Sequence, residues 1–508
     1  MALARVSTIA LTGLAGFRVE VEVDISDGLP SYSLLGLPDA ALLESRERVR
    51  SALVNTGAPW PNRKVTVSLS PAWLPKSGSG YDLPIAIGIL ISQGVIPEES
   101  ALESIFLGEL GLDGQIRGVR GGLPSIISAQ QLGFKRAYIS SENYLEAISI
   151  PGIDLIPAQS IFDLLELFRS GLMPTLPRFE VDGDEAASSK NLSDVVGQIA
   201  PRRGIEISAV GGHHLLLLGP PGTGKTMLAE RLPGILPALT TAESLEVASI
   251  ASISGELQRS QQLSQVAPFV APHHSTTATA MIGGGTHFIK PGACSRANHG
   301  VLFIDEAPEC GPGVLDSLRQ PLESGVVTIS RAVGTLTYPA QFLLVLAANP
   351  CPCGKYSGKG RACTCSSLQI RRYLQKISGP LLDRIDIRLF VEAPTRVEMS
   401  SHDVGESSEV VAARVLAARA RAAERFNNLP WELNSQIPAA HLRKVFSAER
   451  AGMNLLHQEL DSERLSARGF HKVLRVSWSI ADLNYHERPT EMDVREALEL
   501  RIGSGAFL

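Results

Sequence analysis

The segment HHLLLLGPPGTGKTML, residues 213–228, sets out a chemistry before any fold is considered. Within it Gly219, Pro220, Pro221, Gly222, Thr223, Gly224, Lys225 and Thr226 follow the spacing G-x-x-x-x-G-K-[ST]. Such glycines let backbone N–H groups turn inward around phosphate oxygens. Lys225 then offers a compact cation to the terminal phosphates of ATP, and Thr226 a hydroxyl to a magnesium ion. Four leucines before the loop and a helix-compatible run after it supply the strand-loop-helix setting this chemistry needs, which an incidental glycine-rich turn would not. About 80 residues further on, GVLFIDEAPE ends an apolar strand in two carboxylates. Asp305 is suited to hold the magnesium and Glu306 to orient or deprotonate an attacking water. Alone this second signal is weak; it gains meaning from the loop upstream. QFLLVLAANP ends in Asn349, whose amide suits positioning that water or sensing a γ-phosphate, the simpler role being a turn before Pro350.

Directly after Asn349 come four of the six cysteines, Cys351, Cys353, Cys363 and Cys365, as two Cys-x-Cys pairs. Four thiolates in this arrangement could close a tetrahedral zinc site, and binding free energy would then hold a loop too small for a core of its own. The spacing is tighter than the usual Cys-x-x-Cys, and free or redox-active thiols remain a competing reading. A disulfide pair is disfavoured in a reducing cytoplasm. Cys294 and Cys310 stand apart and read as core residues. His273 and His274 have no cysteine or acid at metal spacing, so structural or hydrogen-bonding roles are expected of them.

The elements that must position these groups fall into three segments. A chain of 508 residues, 44% apolar and 19% charged, is too long for one core and has the composition of ordinary globular domains. Its most apolar N-terminal run, VSTIALTGLAGF, is interrupted by glycines and leads into the alternating RVEVEVDIS, which reads as strands. A cytoplasmic location without membrane contact is the expectation. Residues 1–172 mix alternating strands with helices, residues 173–191 are a linker rich in Pro, Gly, Ser and acids, residues 192–396 alternate buried strands with helices as a parallel α/β sheet does, and residues 397–508 are helical. The net charge of -5 excludes a uniformly basic protein. Residues 351–390 nonetheless carry eight Lys or Arg against two acids, either a solvated face or a local anion contact.

DVVGQ, GPPGTGKT, VLFIDE, AANP and SGPLLDRIDI, in this order, resemble an AAA+ ATPase. APHHSTTATAMIGGG, HGVLFIDEAPE, NPCPCG and SGPLLDRIDI are similar, more narrowly, to the magnesium-chelatase-like proteins of the YifB/ComM competence family, and the likeness runs through essentially the whole chain. It implies an α/β fold class: a central AAA+ domain with an insert in its second helix and a hairpin before the first sensor, followed by a C-terminal helical lid. It further implies that Arg384 reaches a neighbouring subunit's ATP as an arginine finger, and that Arg468, or in its place Arg475, is a second sensor; each sets a guanidinium against phosphoryl charge. A finger acting in trans needs a ring, by analogy a hexamer. In helicases of this branch the insert and hairpin line a central pore, where Lys290 and Arg331 would meet DNA phosphates unless they are ordinary loop charges.

PKSGSGYDLPIAIGIL and the glycine-rich stretch after it resemble the proteolytic domain of Lon proteases, an α+β fold of ribosomal-S5-like type. The slot for the nucleophilic serine falls at about Asp82, and that for lysine on Pro124, Ser125 and Ile126, so a non-proteolytic domain is expected. Taken together the resemblance implies a ring-forming ATPase that moves on single-stranded or branched DNA, as in branch migration. A motor for inserting magnesium into a porphyrin and a protein remodeller are the rivals.

Overall fold

The computed structural model describes residues 3–76, 78–175, 190–257, 263–285, 289–311, 313–331, 334–356, 363–396, 398 and 405–502, with the side chains of residues 40, 41, 331 and 334 also outside that description. Most of the expected linker, part of the expected insert, the tip of the expected hairpin, Lys359 and Arg361 therefore lie outside the described residues.

In the N-terminal segment, strand Ala4–Thr12 pairs antiparallel with Ala15–Ser26 from Ala4↔Val23 to Thr12↔Ala15. Val19, Val21 and Val23 are buried while the intervening Glu20 and Glu22 are half-exposed, as period-two alternation demands. Among the described residues this hairpin sits in a seven-stranded sheet ordered Ser31–Leu35, Lys64–Ser70, Ala15–Ser26, Ala4–Thr12, Ser104–Leu107, Arg136–Ser140 and Asp154–Ala158. Helix Asp82–Ser92 is buried almost throughout and lies against the hairpin so closely that a Cβ on Gly88 would come within 2.6 Å of Val23.

The central sheet is parallel, in the order Phe269–Val270, Val301–Ile304, Leu343–Ala348, Leu215–Leu218 and Ile387–Phe390. Its strands read as continuous apolar runs because helices cover both faces. The register sets Leu218 beside Ala348, and Ile304 beside Leu346. All strand ends point the same way, so the loop after Leu218, the acids after Ile304 and the Asn after Ala348 emerge along one edge. Hairpins Gly283–Gly284/Lys290–Pro291 and Val326–Arg331/Gly334–Pro339 stand beside the sheet, where Tyr338 Oη donates to Ile289 O at 2.9 Å and ties them together. The N-terminal domain touches the core at two places: a Cβ on Gly13 would lie 2.8 Å from Thr337 O, and Gly121 N donates to Ser252 O at the end of helix Thr241–Ser254.

Helices Ser408–Arg425, Arg450–Asp461, Ala467–Leu483 and Glu491–Ile502 form the lid. Its Val473, Trp478 and Phe446 share one hydrophobic cluster with Leu215, Val345 and Ile387 of the sheet. A buried charge pair pins the two parts: Lys472 Nζ lies 2.5 Å from Asp386 Oδ1 and donates to Arg384 O at 2.9 Å. His213 Nδ1 lies 3.5 Å from the other Asp386 oxygen. No helix among the described residues is long and apolar enough to cross a membrane.

Removing one partner of such a pair strands the other charge, at a cost of about 3–5 kcal/mol. Lys472→Met is accordingly expected to lower the denaturation midpoint strongly, and the double change with Asp386→Leu to recover most of the loss. Stability also depends on pH. Burial lowers His214 from 6.5 to about 4, and its Nδ1 accepts the N–H of Leu344. The unfolded chain then binds the proton more readily, so stability should fall as pH drops from about 6.5 to 4. Asp386, whose carboxyl is held far below its usual range by Lys472 against the opposing effect of burial, extends that loss below about pH 4. Urea unfolding across this range checks both.

Candidate functional site

Gly222 and Gly224 take φ values of 76° and 89°, the left-handed region that favours glycine, and they turn the backbone of residues 219–226 around a central space. Lys225 opens helix Lys225–Glu230 and points back into this loop. Its ammonium is held by Gly219 O at 2.7 Å, Pro220 O at 2.9 Å and Asn349 Oδ1 at 3.2 Å. Burial lowers its pKa, opposed by the nearby Asp305 and Glu306 carboxylates. Gln198, the last residue of DVVGQ, donates through Nε2 to Thr223 O at 2.6 Å and braces the loop from outside, a role that motif spacing did not reveal.

Thr226 Oγ1 donates to Asp305 Oδ2 at 3.1 Å, so the two oxygens expected to share a cation do meet. Asp305 Oδ1 accepts the N–H of Glu306, whose φ of 48° swings its side chain out of the strand direction. The Glu306 carboxylate is half-exposed and lies 3.3 Å from His274 Nδ1. His273 stacks on His274 with ring centroids 4.0 Å apart and hydrogen-bonds Ser275 Oγ at 2.8 Å. Neither histidine belongs to the metal cluster described below. What the sequence left hidden is that one of them touches the carboxylate beside the phosphate loop.

Arg384 and Arg468 are not joined to residues 219–226 by any hydrogen bond or ion pair among the described residues. The Arg384 side chain is only 11% exposed; its guanidinium pairs with Glu323 and donates to Pro380 O at 2.8 Å. Arg468 is exposed and pairs with Asp383 Oδ2 at 2.7 Å. Arg475 donates to Ile437 O inside the lid, which leaves Arg468 the more accessible of the two sensor candidates.

The four clustered cysteines converge. Their sulfur atoms lie within 4.8 Å of one another, at 3.3 Å for Cys351–Cys353, 3.7 Å for Cys351–Cys363 and 3.6 Å for Cys353–Cys363. These separations are far beyond the ~2.05 Å of a disulfide. They approach the ~3.8 Å edge of a tetrahedron with metal–sulfur bonds of ~2.3 Å. The backbone N–H of Lys355 is the main influence drawing the Cys353 thiol down to about 6, toward the ligating thiolate form. Gly354, at φ 72°, carries the knob against Pro221 of the phosphate loop.

In the N-terminal domain Asp82 is buried and clasped by Arg48, with Nε to Oδ2 at 2.7 Å and Nη2 to Oδ1 at 3.0 Å. Burial still raises its carboxyl to about 6. Ser125 Oγ donates to Gly121 O at 2.7 Å, Lys76 to Pro71 O, and Ser79 pairs with Glu109, so none of these serines meets Lys76.

Comparison with known proteins follows this geometry. Residues 191–399 match a family model described as magnesium chelatase, subunit ChlI; residues 21–143 match one described as subunit ChlI of Mg-chelatase, and residues 405–501 one for the ChlI C-terminal region. An uncharacterized protein of Mycobacterium tuberculosis is 44% identical over 503 residues, covering 99% of both chains. The uncharacterized protein YifB of Escherichia coli is 40% identical over 502 residues, 99% of this chain and 97% of its own. The competence protein ComM of Haemophilus influenzae is 40% identical over 508 residues, 99% of this chain and 98% of its own.

Since hydrogen bonds to charged groups contribute about 1.5–3 kcal/mol, Lys225→Ala should weaken ATP binding roughly ten- to a hundredfold. Titration with a fluorescent ATP analogue checks this.

Proposed function

The chain belongs to the family of magnesium-chelatase-like AAA+ proteins that includes YifB and ComM, and from that premise we propose that it is a ring-forming ATPase that spends ATP hydrolysis on movement along single-stranded or branched DNA. The observation that carries the ATPase part is the meeting of Lys225, Thr226, Asp305 and Asn349 at one sheet edge, with Glu306 beside them. Backbone N–H groups of residues 222–226 bind the phosphates and Lys225 bridges toward their end, exchanging its carbonyl partners for phosphate oxygens. Thr226 and Asp305 would hold a magnesium ion, which would supply positive charge against the phosphates. Glu306 orients the water and takes its proton, and Asn349 senses the terminal phosphate from the adjoining strand.

The ring supplies the remaining charge. Arg384 would leave Glu323 for a neighbouring subunit's ATP, and Arg468 would turn from Asp383 to its own; each exchange replaces one anionic partner by another. A hexamer is the ring this reading takes. DNA as the track is supported by the relative named a competence protein and by the two hairpins tied at Tyr338, beside which Lys290 is exposed. Full-length identity to YifB and ComM favours this over a magnesium-inserting motor. The four cysteines would hold a structural zinc ion that makes the knob rigid.

Glu306→Gln is expected to keep ATP affinity and ring formation while hydrolysis falls about 10²–10⁴-fold, in line with loss of a general base. Arg384→Ala should bind ATP without turning it over, and mixing it with Lys225→Ala should restore part of the activity, which sites contained in single subunits would not do. Forked or single-stranded DNA should raise turnover of the unaltered protein; a rate indifferent to every DNA tested would sink the DNA part and leave the ATPase part standing. Elemental analysis should find about one zinc per chain, lost in Cys363→Ser.

A further inference from the structure

We propose that helix Ser367–Leu374, with Lys355 on the adjoining cysteine knob, is a docking surface for a polynucleotide phosphate backbone and is mechanically linked to the hydrolytic pocket; the proposal rests on the DNA reading above and says where the strand is felt. Its first support is charge. Residues 324–382 contain seven Lys or Arg and no Asp or Glu, in a chain whose net charge is -5. Most guanidiniums elsewhere are committed to partners, as Arg384 is to Glu323, Arg414 to Glu206 and Arg425 to Asp482. Arg371 and Arg372 are exposed neighbours whose side chains have no hydrogen bond or ion pair among the described residues, and the side chain of Lys355 is exposed and without a partner in the same way. Exposed guanidiniums without an intramolecular partner, on a segment that carries no acid of its own, call for an anion from outside the chain.

The second support is rigidity. A helix of eight residues does not persist by itself in water. This one is started by Ser366, whose hydroxyl accepts the Gln369 N–H while Gln369 Oε1 accepts the Ser366 N–H, and the residue before Ser366 is Cys365 of the sulfur cluster. Tyr373 anchors its far end, buried, with its phenol against the backbone of Asn349. Lys376, just beyond, lies 5.6 Å from the Tyr373 ring centroid and 3.3 Å from Glu309 Oε2. Glu309 in turn closes the turn after the second catalytic-strand acid, its N–H donating to Glu306 O at 2.7 Å. The cationic helix therefore leans on the sensor strand through one residue and on the Glu306 turn through another, so a load on its outer face reaches both.

Phosphate oxygens could also come from a neighbouring subunit's ATP. Two adjacent helical positions diverge by about 100°, which spreads their charge along a surface instead of focusing it on one terminal phosphate. Lys355, on the knob, widens that surface further. An extended polyanion fits this spread better than a single triphosphate does.

The test is fluorescence anisotropy of a labelled single-stranded oligonucleotide with the full-length protein and a non-hydrolysable ATP analogue, titrated between 50 and 200 mM salt. Each lost contact to a single strand should reduce the slope of log affinity against log salt by about 0.7, so Arg371→Gln with Arg372→Gln should reduce it by about 1.4, while the paired Lys substitutions keep the unaltered slope. Should the paired Gln variant fail to fold by its melting curve, Lys355→Gln, which lies outside the helix, must by itself lower the slope by about 0.7. An unchanged slope in a folded variant overturns the proposal. So does loss of DNA-independent hydrolysis with the slope intact, which would assign these guanidiniums to a neighbour's ATP. Failure of the unaltered protein to bind any DNA would remove the DNA reading and this surface together, whereas normal DNA binding shared equally by the unaltered and Gln proteins removes this surface alone.

Discussion

The parallel alignment of five strands is the constraint on which the rest depends. Because each strand runs the same way, residues following Leu218, Ile304 and Ala348 must leave the sheet along one edge, and three segments far apart in sequence meet there. The middle strand, Leu343–Ala348, lies between the phosphate-loop strand and the carboxylate strand, so Asn349 reaches Lys225 from one side while Asp305 reaches Thr226 from the other. Continuous apolar composition keeps these short strands buried on both faces and leaves them little freedom to slip.

That edge is also where the other parts of the molecule converge. The lid is joined to the core through a shared apolar cluster and through Lys472, whose ammonium spans Asp386 and the carbonyl of Arg384. The residue proposed to contact another subunit thus itself carries the carbonyl that seats the lid. In the proposed ring that carbonyl would couple movement of Arg384 to movement of the lid. The cysteine knob adds a further fixed point, since Cys351 follows Asn349 by two residues and Gly354 rests on Pro221.

In the N-terminal domain the residues at the positions a Lon-type protease would use are bonded to other partners. Its Asp82 is neutralised by Arg48 in the interior, and Lys76 and the nearby serines bond elsewhere. What it does have is position. Its first turn sits on the hairpin strand Gly334–Pro339, and the start of its helix Gly122–Gln131 bonds to the end of helix Thr241–Ser254, which leads into the insert. A domain seated on both elements can restrain or follow them together.

The phosphate loop, the acidic pair, the sensor asparagine and the cysteine quartet were legible from residue order because each depends on a few neighbours with fixed local geometry: glycines that allow positive φ, a strand that ends in acids, sulfurs two residues apart. The aspartate standing where a protease would need its nucleophile was legible for the same reason. Contacts between distant segments were not. His274 beside Glu306, Glu323 holding Arg384, Lys472 against Asp386 and Gln198 under the loop join residues 32, 61, 86 and 25 positions apart. No local pattern encodes such pairs, because burial and charge choose a partner only after the sheet order and the lid have placed the candidates within reach. Sequence alone therefore determined which groups could carry the chemistry; packing decided which of them are held, by what, and which are left facing outward.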